Sequence, residues 1–131
     1  KSYLFFTAAF IVVLILLLVL RVFNSEKDNW IKDSKGIYVK HGNPSQTPAK
    51  VTSQQNAIIC ANNLHETSKL SKMQFNSQCL GLCSDYSIDI VHVPRTEEDN
   101  QIENQCADYR NKITKYFIEL DKNGDVIRIY D

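Results

Sequence analysis

The residues with the most chemical potential in this chain are its four cysteines, Cys60, Cys79, Cys83 and Cys106. An even number of cysteines in a segment with a modest apolar core reads as two disulfides, each non-local bridge adding ~3 kcal/mol. Such bridges persist only in an oxidising compartment, so the segment carrying them is expected outside the cytoplasm. A Cys79–Cys83 bridge would close a loop of little entropic value. The spacing therefore leans toward Cys60–Cys79 with Cys83–Cys106, one of three connectivities that remain open. The sharper alternative is a thiol-redox or metal centre built from Cys79, Cys83 and His92, with His65 as a substitute ligand. Against it, Cys-Leu-Gly-Leu-Cys is looser than the Cys-x-x-Cys pairs of structural zinc sites.

Other chemistry is sparse. Asp121-Lys122-Asn123-Gly124-Asp125 opens like an EF-hand calcium loop, but its glycine falls early and no Glu follows at the twelfth position. Asn-Gly between alternating apolar runs points instead to a hairpin turn. Between Asp85 and Asp108 seven acidic residues stand against Arg95 alone. The cluster Glu97, Glu98, Asp99 and Glu103 is expected as a solvated loop able to dock a basic partner. A nucleophile beside a base, a His-Glu-x-x-His helix and a glycine-rich phosphate cradle are all missing, so neither a catalytic residue nor a cofactor is expected. The formal net charge is zero and residues 24–131 hold 13 basic against 15 acidic groups, a balance that does not favour nucleic acid.

Positioning these residues falls to a chain of 131 residues, 44% hydrophobic, much of that apolar content gathered at its start. Tyr3 to Leu20 are 18 residues without a charge, about 27 Å as a helix. They are expected to form a transmembrane helix contacting a lipid bilayer through residues 3–23, with Arg21 snorkelling to the interface. No small-residue cleavage site and no lipid-accepting cysteine follow, so residues 1–23 read as an uncleaved single-pass signal anchor.

Next, Trp30-Ile31-Lys32, Asp33-Ser34-Lys35-Gly36 and Ile37-Tyr38-Val39-Lys40 read as strand, turn and strand, with Trp30 and Tyr38 packed on each other or resting at headgroups. His41 to Pro48, rich in Gly, Asn and Pro, reads as a linker, giving a stalk over 24–50. The string Trp30-Ile31, Gly36, Tyr38-Val39-Lys40-His41-Gly42-Asn43-Pro44 resembles a juxtamembrane segment of uncharacterised, single-pass anchored small prokaryotic proteins with a cysteine-bearing domain behind it. Lys32 stands here where those proteins often place a cysteine, and the resemblance implies no activity. The Cys-x-x-x-Cys followed by His92 is also similar to tethered copper chaperones of cytochrome oxidase assembly, but the proline after the second cysteine and a βαβ pattern are lacking.

Residues 51–131 are expected to form the disulfide-bonded extracytoplasmic domain. Ser53 reads as an N-cap for a helix whose Ala57, Cys60, Ala61 and Leu64 share one face. Tyr86, Ile88 and Ile90 alternate with Ser87 and Asp89 as a half-buried strand running to Pro94, and 113–120 with 126–130 form the final hairpin. The expected class is α+β, with one helix on an antiparallel sheet of about three strands. A non-enzymatic interaction or structural module with an unknown protein or cell-envelope partner follows, a small envelope-enzyme inhibitor being the further alternative.

Overall fold

A computed structural model of the chain describes residues 6, 7, 9–20 and 28–131, together with the backbone of a helix, α1, over Ser2–Ser25. The chain divides into two compact units, residues 1–31 with 39–47, and residues 32–38 with 48–131. In the first, the side chains from Phe10 to Leu20 of α1 are exposed and apolar. Among the described residues, however, no helix is long and apolar enough to cross a membrane, which corrects the anchor expected over 1–23. Residues 1, 26 and 27 and the side chains of residues 2–5, 8 and 21–25 lie outside the described residues, and with them the snorkelling expected of Arg21.

Strands β1 (Asn29–Lys32) and β2 (Tyr38–His41) form a two-stranded sheet. The Trp30 indole N–H donates to the Gln46 carbonyl at 3.0 Å, and the Lys40 ammonium lies over its ring. Tyr38 instead meets Lys32 and Lys50. Between the strands, Asp33 Oδ1 accepts from the amides of Lys35 and Ile37, and Gly36 adopts φ +83°. This turn belongs to the second unit, where it covers an edge strand. The Ile129 N–H donates to the Lys35 carbonyl at 2.7 Å, and Lys35 Nζ donates to the Val126 carbonyl. Covering an edge in this way blocks pairing with other chains.

Helix α2 runs Ala49–Leu70, longer than its apolar period suggested, and starts directly after Pro48. Ser53 is therefore inside the helix rather than at its cap. Proline's fixed φ of −60° pre-organises the entry without a side-chain bond. Val51, Gln54, Ala57, Ala61 and His65 are its buried stripe. The small Ala57 and Ala61 let it sit close on a four-stranded sheet of β3 (Gln78–Cys83), β4 (Tyr86–Ile90), β5 (Tyr116–Leu120) and β6 (Val126–Tyr130) in that spatial order.

This α+β unit corrects the expected sheet in two respects. It has four strands, because the Cys-Leu-Gly-Leu-Cys segment is itself a strand with a register shift between Cys79 and Gly81. It is also mixed, since β4 and β5 run parallel. Parallel neighbours require a long crossover, and residues 91–115, expected only as an acidic loop, are that crossover. They include two single turns at Glu98–Asn100 and Ile102–Asn104 and a short helix α3 (Ala107–Arg110). The crossover places α3 against β4, on the face opposite the one holding Ala57, Ala61, Tyr86, Ile88, Ile90, Ile118 and Leu120. Ser87, expected at the solvent face, is consequently fully buried and bonded to Thr114 at 2.6 Å.

Two disulfides, Cys60–Cys83 and Cys79–Cys106, complete the unit and correct the favoured connectivity. The hairpin of β3 and β4 puts Cys83 beside α2 and Cys79 beside the returning crossover, so each bridge ties β3 to a different neighbour. Both bridges fit an oxidising environment.

Candidate functional site

One register row crosses the whole sheet: Cys79 pairs with Asp89, Asp89 with Glu119, and Glu119 with Arg128. These residues share a face because direct cross-strand partners project to the same side. Their face is the one roofed by the crossover, so Glu119 is buried and Asp89 half-buried. Glu119 accepts from Arg95 Nη1 at 2.8 Å and from Arg128 Nε and Nη2 at 3.1 and 3.0 Å. Two cations thus satisfy its carboxylate, which a buried acid requires.

Among the described residues, no cation forms an ion pair with Asp89. Its Oδ1 accepts from the Cys106 N–H at 3.0 Å. Burial pushes its carboxyl up to about 6 and the Glu119 charge adds to the rise, against the Cys106 N–H, Arg95 and Arg110. A cavity of about 90 Å³ adjoins Asp89, Glu119, Arg95 and Tyr109, roomy enough to hold water.

A larger cleft, about 490 Å³, lies where the parallel strands β4 and β5 end. The carboxyl ends of parallel strands are a common ligand position in open α/β sheets, because the connections diverge there. Buried Ile90 meets it from the sheet, Phe75 from the segment before β3, and buried Val91 with Val93 and Pro94 from the crossover. Phe75 is held by stacking on the buried His65, ring centroids 4.5 Å apart. Asn76, His92, Thr96, Asp121, Lys122 and Asn123 add polar groups.

The shape of this crossover wall depends on Asp99. Its carboxylate, with no exposed side-chain surface, accepts from the His92 N–H and Nδ1, both at 3.0 Å, and from the Thr96 N–H and Oγ1 at 2.7 and 3.1 Å. Burial alone would raise the Asp99 carboxyl, but these donors outweigh it and hold it at about 2. Because a carboxylate only accepts, the proton of the His92–Asp99 bond is on Nδ1, and the ring's other nitrogen is Nε2. Among the described residues no nucleophile bonds that nitrogen, so the pair orients an imidazole without forming a triad.

The acidic docking loop is split by these contacts. Glu97, Glu98 and Glu103 are exposed, whereas Asp99 is turned inward as the loop's internal anchor. Cys79, Cys83 and His92 do not form the alternative centre, because the two sulfurs sit in separate disulfides and neither supplies a thiolate. Cys79, Asp89 and Cys106 do converge, with ligand atoms within 4.8 Å. The two sulfurs are bonded to each other, so only the carboxylate is a free donor. Asp121 Oδ1 accepts from the Asn123 and Asp125 amides and builds the β5–β6 turn. Sequence reasoning missed Asp89 and Glu119 as site residues. Alternation placed Asp89 away from Tyr86, Ile88 and Ile90, nothing in the local pattern singled out Glu119, and the hint that this second face is covered was the length of the segment between β4 and β5. Compared with protein-family models, curated proteins and solved structures, the chain matches no family model, no curated protein and no solved structure.

Proposed function

We propose that this chain is a non-enzymatic, extracytoplasmic recognition module that seats a segment of a partner protein in the cleft at the ends of β4 and β5. The observation that carries the reading is the Asp99-locked wall: four hydrogen bonds to one buried carboxylate preset the loop that presents His92, Val93 and Pro94. A preset loop loses little conformational entropy on binding. The mixed lining suits a peptide segment with an apolar side chain and backbone groups to bond, since pockets of this kind use apolar area for affinity and a few polar groups for orientation. The disulfides support an extracytoplasmic setting.

Site-specific photocrosslinking tests the reading. A benzophenone side chain replaces Val93, 62% exposed at the cleft, or Ile59, 60% exposed on α2 as the control. In cells that make the protein natively, a discrete adduct from position 93, absent from position 59 and weakened by Asp99→Asn, is expected. Equal adducts from both positions, or none from 93, refute the assignment of the cleft.

A further inference from the structure

The two disulfides differ in their surroundings. Cys60–Cys83 has no third ligand-type group close to both of its sulfurs among the described residues, whereas Asp89 lies within 4.8 Å of both sulfurs of Cys79–Cys106. The second bridge is also asymmetric. Cys79 is exposed on β3, while Cys106 is fully buried. A nucleophile from solvent reaches one sulfur, and the other becomes the leaving group. Cys106 Sγ sits 3.4 Å from the Ile88 carbonyl oxygen and 3.8 Å from that of Gly81, so a thiol formed there finds acceptors already in place.

We propose that Cys79–Cys106 is a thiol–disulfide exchange site for a dithiol, with Asp89 as the proton donor to the buried sulfur. A thiolate of the dithiol attacks Cys79 Sγ, forming a mixed disulfide. The bond to Cys106 breaks, and its electron pair leaves on Cys106 Sγ, which takes the Asp89 proton. The second thiolate of the dithiol then attacks its own sulfur in the mixed disulfide and releases Cys79, which is protonated by solvent. One disulfide of this chain is thereby reduced to two thiols and the dithiol is oxidised to a disulfide. The adjoining cavity of about 90 Å³ gives Asp89 a route to recover its proton from water. Burial of the leaving sulfur is what makes the donor matter, since a thiolate expelled into apolar surroundings is costly. Opening the bridge also releases Cys106, the residue at which α3 begins and the crossover is tied to β3. The proposal is independent of what occupies the cleft.

The experiment reduces the full 131-residue chain with dithiothreitol at graded pH, quenches with an alkylating reagent and maps the labelled cysteines by mass spectrometry. Cys79 and Cys106 are expected to label before Cys60 and Cys83. The groups acting on Asp89 are Glu119 from β5, Arg95 from the start of the crossover and Arg110 from α3. With the carboxyl titrating near 6, its protonated fraction, and with it the opening rate per dithiothreitol thiolate, falls about tenfold between pH 5 and pH 7. Asp89→Asn, which keeps an acceptor for the Cys106 N–H, is expected to flatten that profile. Opening of Cys60–Cys83 first, simultaneous opening of both bridges, or an unchanged profile in Asp89→Asn overturns the proposal. Should that variant fail to fold, the labelling order and the wild-type profile decide alone. Repeating the assay with a Cys-x-x-Cys protein separates the two sources of dithiol. A larger rate per thiolate than with dithiothreitol assigns a protein partner, an equal or smaller rate a small dithiol, and a mixed disulfide on any cysteine other than Cys79 overturns both.

Discussion

Replacing Asp99 with Asn tests whether one buried carboxylate sets the crossover wall. The carboxylate offers two oxygens, Oδ1 to two donors on His92 and Oδ2 to two donors on Thr96. Asn keeps one oxygen and turns an NH2 group toward the other pair, so donors face a donor. The fall from 3.8 to about 2 corresponds to about 2 kcal/mol of native-state preference for the charged form, and the mispaired donors add about 1 kcal/mol. A loss of about 2 to 3 kcal/mol at pH 7 is therefore expected from urea unfolding followed by circular dichroism, with both disulfides intact. The sign with pH is definite. Because the folded-state value is depressed, this stabilisation is full above about pH 4 and is lost as pH falls through about 2, so the gap between wild type and variant should narrow over that range. Amide exchange supplies the local measure: protection of the His92 and Thr96 N–H groups should fall by about thirtyfold or more. A variant within about 0.5 kcal/mol of wild type at pH 7, below the typical cost of a lost bond, or a gap as large at pH 2 as at pH 7, would refute the reasoning.

Asp89→Asn should act in the opposite direction. Its folded-state value is raised from 3.8 to about 6, so the associated stability is full below pH 4 and lost as pH rises to 6, and the variant should gain about 1 to 2 kcal/mol at pH 7 with a flatter pH–stability curve. Removing one bridge as Cys60→Ser with Cys83→Ser, residues 23 apart, should cost about 3 kcal/mol by urea unfolding. Glu119→Gln removes the negative charge shared by the half-exposed Arg95 and Arg128 and turns one of its two acceptor oxygens into an NH2 donor, and a loss of about 1 to 2 kcal/mol, reduced by solvent screening, is expected in the same assay. Gly36→Ala combines a positive φ with a Cβ that collides with the Ile129 carbonyl oxygen; faster amide exchange along β6, above all at the Ile129 N–H, is the expected outcome.

The legible parts of this protein are those set by local pattern. The β5–β6 hairpin follows from Asn123-Gly124, with Gly124 at φ +90°, because few residues tolerate that backbone region. The first hairpin and the apolar stripe of α2 follow from period-2 and period-3.6 spacing. Two disulfides follow from four cysteines in a small unit, but their connectivity does not, since it depends on which neighbours β3 acquires. The N-terminal apolar run reads as an anchor from residue types alone, whereas among the described residues no helix is long and apolar enough to cross a membrane.

The sequence alone determined the types of α2, β4 and the two hairpins, the turn residues and the presence of two bridges, whereas β3 and the helical turns of residues 91–115 were not legible in it. Tertiary structure alone decided that β4 and β5 run parallel, that the crossover roofs the sheet's second face, and that Cys79, Asp89, Glu119 and Arg128 fall on one row. It also turned Asp99 inward from an otherwise exposed acidic cluster, leaving Glu97, Glu98 and Glu103 at the surface. The physical reason is the same in each case. Alternation along a strand states which residues share a face, but what covers that face depends on the path of residues 91–115, and that path is fixed by contacts between segments far apart in the chain.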